Sequence, residues 1–148
     1  MMTDKQYDAL IDELQGKILL ETQDIYGEKG LERWQNPKFN GRMDDADAYG
    51  RITGKCGDTM EIFLCFDNNR VSKASSQSDG CFSSRLCGSF AAELAIGKNP
   101  EELFDLTGDD VLKAIGTFPK EETHCAFLAV KTMQEAVNAY LVKQTGQK

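Results

Sequence analysis

The segment Met60-Glu61-Ile62-Phe63-Leu64-Cys65-Phe66-Asp67 leaves the chain few folds to choose from. Met60, Ile62, Leu64 and Phe66 alternate with Glu61, Phe63, Cys65 and Asp67. A period of two is the signature of a strand with one face on a core. Phe63 and Cys65 indicate that the other face is partly covered as well. Asn68-Asn69 follows at once, and asparagine tolerates positive φ, so the pair suits a tight hairpin turn. The returning strand, Val71 to Ser78, is polar and is recognised more by position than by pattern. A short strand over Ala48 to Ile52 precedes the pair, which makes a meander.

Helical spacing governs the rest. Thr3 and Gln6 form a capping-box pattern, and Tyr7, Leu10, Ile11, Leu14 and Ile18 then share one face. That stripe needs a partner surface, on the domain or on another subunit. Gly27 and Gly30 are candidate stops, and a second helical piece carries Leu31 and Trp34 up to Asn36-Pro37. Arg42 to Asp47 reads as loop. Phe82, Leu86, Phe90 and Leu94 lie four apart in a helix that Gly97 ends. Asn99-Pro100-Glu101-Glu102 reads as a cap, a first-turn proline and first-turn acids. A further helix covers Asp109 to Ile115. The last starts near Thr123 and carries Ala126, Val130, Met133, Val137 and Tyr140, with a fraying tail from Thr145. The expected fold is α+β: one domain over residues 1–148, with a three-stranded antiparallel sheet, helices packed on one face and an additional N-terminal helix over 1–24.

At 148 residues the chain can bury a sizeable core. Its formal net charge of -7 argues against binding nucleic acid or an anionic membrane surface. No apolar run approaches the roughly 20 residues that span a bilayer, and no basic-then-apolar leader opens the sequence. The expected location is cytoplasmic. There the cysteines are better read as thiols than as disulfides.

Three of them sit at element boundaries. Cys56 and Asp58 lie on the loop Gly54-Lys55-Cys56-Gly57-Asp58 between two strands, where glycines permit close approach to a bound group. Cys81 follows Gly80 at a helix start. Cys125 follows His124, the chain's one histidine, in the first turn of the last helix. Helix N-termini favour thiolate, the metal-binding form, although Glu121 and Glu122 partly oppose this at Cys125. Three thiolates with an imidazole or a carboxylate make a four-ligand set for zinc or an iron–sulfur cluster. Mixed sulfur and oxygen ligation holds a cluster less firmly than four thiolates, as suits a site that builds and releases it.

Blander readings stand beside this one. No C-x-x-C pair is present, and cysteines are often small buried hydrophobes. That reading fits Cys65, in a strand, and Cys87, inside a helix. Glu101-Glu102 and Asp109-Asp110 are helix-start charges. Trp34 reads as core.

Cys56-Gly57-Asp58-Thr59-Met60, Ser78-Asp79-Gly80-Cys81 and Glu122-Thr123-His124-Cys125-Ala126 resemble the IscU/NifU N-terminal family of iron–sulfur cluster assembly scaffolds. Asn36-Pro37-Lys38-Phe39-Asn40-Gly41 is similar to that family's Asn-Pro…Asn-x-Gly segment, and the resemblance runs from about Ile25 to Tyr140. It implies an α+β fold and a transient [2Fe–2S] cluster, with zinc in apo preparations. It also implies three kinds of partner: a cysteine desulfurase, an iron and electron donor, and acceptor apo-proteins. Cys56, Cys81 and Cys125 would be the sulfur ligands, and Asp58 and His124 the exchangeable ones. A homodimer around a shared cluster stays open.

The chain departs from the family at three places, one of them a helix before Ile25 that is longer than in the shortest relatives. Phe118-Pro119-Lys120-Glu121-Glu122 stands where relatives carry the Leu-Pro-Pro-Val-Lys segment that engages an Hsp70-type chaperone, which weighs against that partner. Phe82 is bulky where many relatives have a small residue. Two other functions compete: a zinc-bound sulfur-transfer protein that accepts persulfide from a desulfurase, and a zinc-stabilised interaction domain.

Overall fold

The structure is a computed structural model that describes residues 1, 3–55 and 57–145. Cys56 and the tail from Gly146 therefore lie outside the described residues. Helix α1 (Asp4–Gln35) leads to strands β1 (Ala48–Thr53), β2 (Thr59–Asp67) and β3 (Arg70–Ser78). Helices α2 (Phe82–Ala95), α3 (Pro100–Asp105), α4 (Gly108–Ile115) and α5 (His124–Gln144) follow, with a 3-10 turn over Lys120–Glu122 before α5.

The sheet is antiparallel in the order β1-β2-β3, with Ala48 opposite Leu64 and Ile62 opposite Ser76. Asn68 and Asn69 both take positive φ, at 54° and 63°, which lets the chain reverse between β2 and β3. Met60, Ile62 and Leu64 are fully buried and join one core with α2, α4 and α5. Phe63 is buried on the opposite face, against the Tyr49 ring and beneath the Arg42 guanidinium. The meander and the helical layer are those expected of the sequence.

The polar strand β3 forms because its neighbours satisfy its backbone. Ser76 N–H donates to Phe39 O, and Gly41 N–H donates to Ser76 O, both at 2.9 Å. On the β1 side, α5 packs directly on the sheet at Gly50. A Cβ there would stand 2.6 Å from Ala136 N and collide with Thr132 O.

Helix α1 breaks at Gly27, where φ of 74° and ψ of -175° interrupt the helical geometry, and a second helical piece carrying Leu31 and Trp34 follows, as expected. It departs from expectation in two ways. Gly30 is no stop. It is a close-packing position, with Tyr26 and the Leu86 side chain where its Cβ would be. The stripe Tyr7, Leu10, Ile11, Leu14 and Ile18 stays exposed and does not pack on the domain. Only the part from Tyr26 onward is anchored, through Tyr26, Gly30 and Arg33. Trp34 is also corrected. It is 41% exposed and belongs to a surface cavity, because the helix turns its buried face, Gly30 and Arg33, away from it.

Deleting residues 1–20 should therefore leave the domain as stable as before. Surface changes of this kind fall within about 0.5 kcal/mol, or roughly 2 °C in Tm. A thermal melt showing a fall of more than about 5 °C would mean that the stripe is packed in solution.

Candidate functional site

The site forms where β2, α2 and α5 begin. Gly57, with φ of 93°, folds the β1–β2 loop back on itself, and its N–H donates to Gly54 O at 3.0 Å. Gly54 N–H in turn donates to Asp58 O at 2.8 Å. This closed loop presents the half-buried Asp58 toward α2.

The β3–α2 connection is fixed next to it. Thr59 N–H donates to Asp79 Oδ1 at 2.7 Å, and Gly80 N–H donates to Ser78 Oγ at 3.0 Å. Gly80 must lack a side chain, because a Cβ would lie 2.5 Å from Asp58 Oδ2 and 2.9 Å from Ser84 Oγ. Cys81 caps α2 with extended backbone and is exposed.

One hydroxyl ties two of the expected ligands together. Ser84 Oγ donates to Asp58 Oδ2 at 3.0 Å and lies 3.4 Å from Cys125 Sγ. Cys125 is only 2% exposed, and its sulfur lies 3.7 Å from Nε2 of the exposed His124. A second chain of contacts serves Cys81. Its sulfur is 3.9 Å from Glu122 Oε1, and the same oxygen accepts a close hydrogen bond from Ser83. Ser83 has one proton and gives it to Glu122, so Tyr26 OH donates to Ser83, at 2.7 Å. Burial, offset by the Ser83 bond and reinforced by Glu122 and the cysteines, raises the Tyr26 hydroxyl above its ordinary range and keeps it a donor. The Phe82 ring packs edge-on to Tyr26 at 4.9 Å between centroids.

Asp58, Cys81, His124 and Cys125 are thus neighbours through Ser84 and Glu122, while Cys56 lies outside the described residues. Among the described residues no three His, Cys, Asp or Glu side chains converge at metal-binding distance. The donors nevertheless fit a soft metal: two sulfurs, an imidazole and a carboxylate on adjacent element starts. Cys65 and Cys87 are buried, and burial pushes both thiols above their usual range, with Cys125, Cys81 and Glu122 near enough to raise Cys87 further. Sequence reasoning missed Tyr26, Ser83 and Ser84, and named Glu122 only as a charge opposing the Cys125 thiolate. Ser83-Ser84, one residue beyond Gly80-Cys81, was the available signal, since serine in a helix's first turn can reach neighbouring side chains.

The pattern of the NifU-like N terminal domain family matches residues 25–147. The chain is 35% identical over 120 residues to "Iron-sulfur cluster assembly scaffold protein IscU 1" of Archaeoglobus fulgidus, covering 80% of this chain and 78% of that protein. It is 30% identical over 122 residues to "Iron-sulfur cluster assembly scaffold protein IscU" of Aquifex aeolicus, with coverages of 80% and 78%. In fold it is similar to the crystal structure of an N-terminal NifU-like protein from Brucella abortus, with a TM-score of 0.62 at 20% identity, covering 82% of this chain and 97% of that one.

Proposed function

The chain belongs to the NifU-like N-terminal domain family, and on that premise we propose that it is an iron–sulfur cluster assembly scaffold whose site is the Asp58–Ser84–Cys125–His124 cluster with Cys81 and Cys56. The observation that supports this most is the Ser84 bridge, which places a carboxylate and a buried sulfur side by side without any local sequence motif.

The cargo is a [2Fe–2S] cluster, built and then passed to acceptor apo-proteins. Cys56, Cys81 and Cys125 hold it by sulfur, with Asp58 or His124 as the exchangeable ligand. Sulfur arrives as persulfide from a cysteine desulfurase. Persulfide sulfur is at the level of the element, so each sulfide formed takes up two electrons, and an iron and electron donor is a required partner. Exposed Cys81 is the accessible thiol and buried Cys125 the sheltered one. Ser84 orients Asp58, and Glu122 holds a negative oxygen beside Cys81. No helix among the described residues is long and apolar enough to cross a membrane.

Asp58 sets the release rate. A carboxylate is a harder and more exchangeable ligand than a thiolate, and it adds charge to an anionic site. Asp58→Ala protein, loaded anaerobically with iron, sulfide and a desulfurase, should form a cluster. It should then pass that cluster to an apo-ferredoxin about tenfold more slowly than wild type. Loss of the donor's visible absorbance times the transfer. An unchanged rate would remove Asp58 from release. Persulfide formation without any cluster would replace the scaffold by a sulfur carrier.

A further inference from the structure

A cavity of about 510 Å3 opens between the end of α1, the 37–41 segment, the end of β3 and the first turns of α2. Such a volume suits a small organic ligand or the end of a peptide. Trp34, Phe82 and Leu86 give it apolar walls, and Arg33 and Arg85 are its charged residues. No aspartate or glutamate lines it, in a chain whose net charge is -7.

Arg33 is 7% exposed and anchored on three sides. One terminal nitrogen donates to Ser89, the other pairs closely with Glu93, and the guanidinium lies 4.1 Å above the centre of the Phe90 ring. Its Nε is buried without a hydrogen-bond partner, and among the described residues no other buried side-chain nitrogen or oxygen lacks one. That Nε is closed off from the cavity and both terminal nitrogens are taken, so Arg33 is a fixed wall of the cavity rather than a guanidinium open to a ligand. Arg85 is exposed and takes part in no ion pair among the described residues.

We propose that this cavity is a binding site for a carboxylate carried on an apolar group, with Arg85 meeting the carboxylate and Trp34 and Phe82 enclosing the apolar part. Charged acceptors make the strongest bonds to guanidinium, and a planar apolar group suits the aromatic walls. Either a free small acid or the C-terminal carboxylate of another protein presents this chemistry. The site adjoins the cysteine cluster, since Phe82 follows Cys81 and Ser78 holds the Gly80 N–H, yet it uses none of the cluster's donors.

Trp34 is the chain's one tryptophan, so its fluorescence reports this cavity alone. The metal-free full chain would be titrated with 3-phenylpropanoate, with its neutral amide, and with a tetrapeptide ending in Leu-Phe as the free acid or the amide. Each acid should give a saturable change, with an affinity about tenfold above that of its amide. Arg85→Gln, confirmed as folded by circular dichroism, should remove that preference and leave amide binding as it was. Tighter binding of the peptide acid than of 3-phenylpropanoate would identify a protein terminus as the source, and the reverse a free small acid. No saturable change up to about 10 mM of either acid, equal binding of acid and amide, or an undiminished acid preference in Arg85→Gln would overturn the proposal.

Discussion

Cys81→Ala and Cys125→Ala should each reduce the cluster retained after anaerobic loading and desalting to about a tenth of wild type or less. Each removes a thiolate from a set too small to lose one. Cys56→Ala should behave alike. Cys65→Ala and Cys87→Ala should keep their clusters. Cys87 is fully buried, and burial raises its thiol well above the usual range, so it offers a poor thiolate as well as no access. The measurement is iron and acid-labile sulfide per chain. Retention in Cys125→Ala together with loss in Cys87→Ala would show that the site has been placed on the wrong cysteines.

Gly50→Ala should cost the fold roughly 3 kcal/mol, a fall of about 6–12 °C in Tm. The added methyl would meet backbone rather than a movable side chain, namely Thr132 O and, at 2.6 Å, Ala136 N. Thr132 is itself fixed, since it is buried and its hydroxyl donates to Leu128 O at 2.7 Å. Helix α5 would have to lift from β1, and with it the start of α5, which carries His124 and Cys125. The variant should therefore also load less cluster than wild type at temperatures where it is folded. A melt within about 1 °C of wild type would show that the sheet and helix adjust without strain.

The elements were legible where local chemistry alone decides. Alternation in β2, the Asn68-Asn69 turn, the Thr3–Gln6 capping box, the Asn99 cap and the bland reading of Cys87 all rest on short-range rules. Tertiary facts were not legible. Helical periodicity predicts an apolar face but not what covers it, so the stripe of α1 was expected to meet the domain or another subunit, and the domain does not cover it. Trp34 was expected in the core because large aromatics usually are, yet the rotation of α1 is set by Gly30 and Arg33 against α2. The cysteine, aspartate and histidine positions stood out by residue type. Ser84 did not, because a hydroxyl becomes informative only when its neighbours, Asp58 and Cys125, are 26 and 41 residues away in sequence and adjacent in space.

That separation ties cargo to conformation. Asp58, Cys81 and Cys125 stand at the starts of three elements, and the core shared by the sheet, α2 and α5, with the Ser84 and Ser83 bonds across it, holds those starts together. A ligand that needs all of them has no comparable site on the unfolded chain, so occupancy adds directly to folding free energy, by about 2.7 kcal/mol at a hundredfold excess over Kd. The linkage is reciprocal: whatever loosens the packing of α2 or α5 lowers affinity by the same factor. Cluster retention is in this sense a gauge of tertiary order. An acceptor or helper that favours the loosened chain could unload it without touching a single ligand.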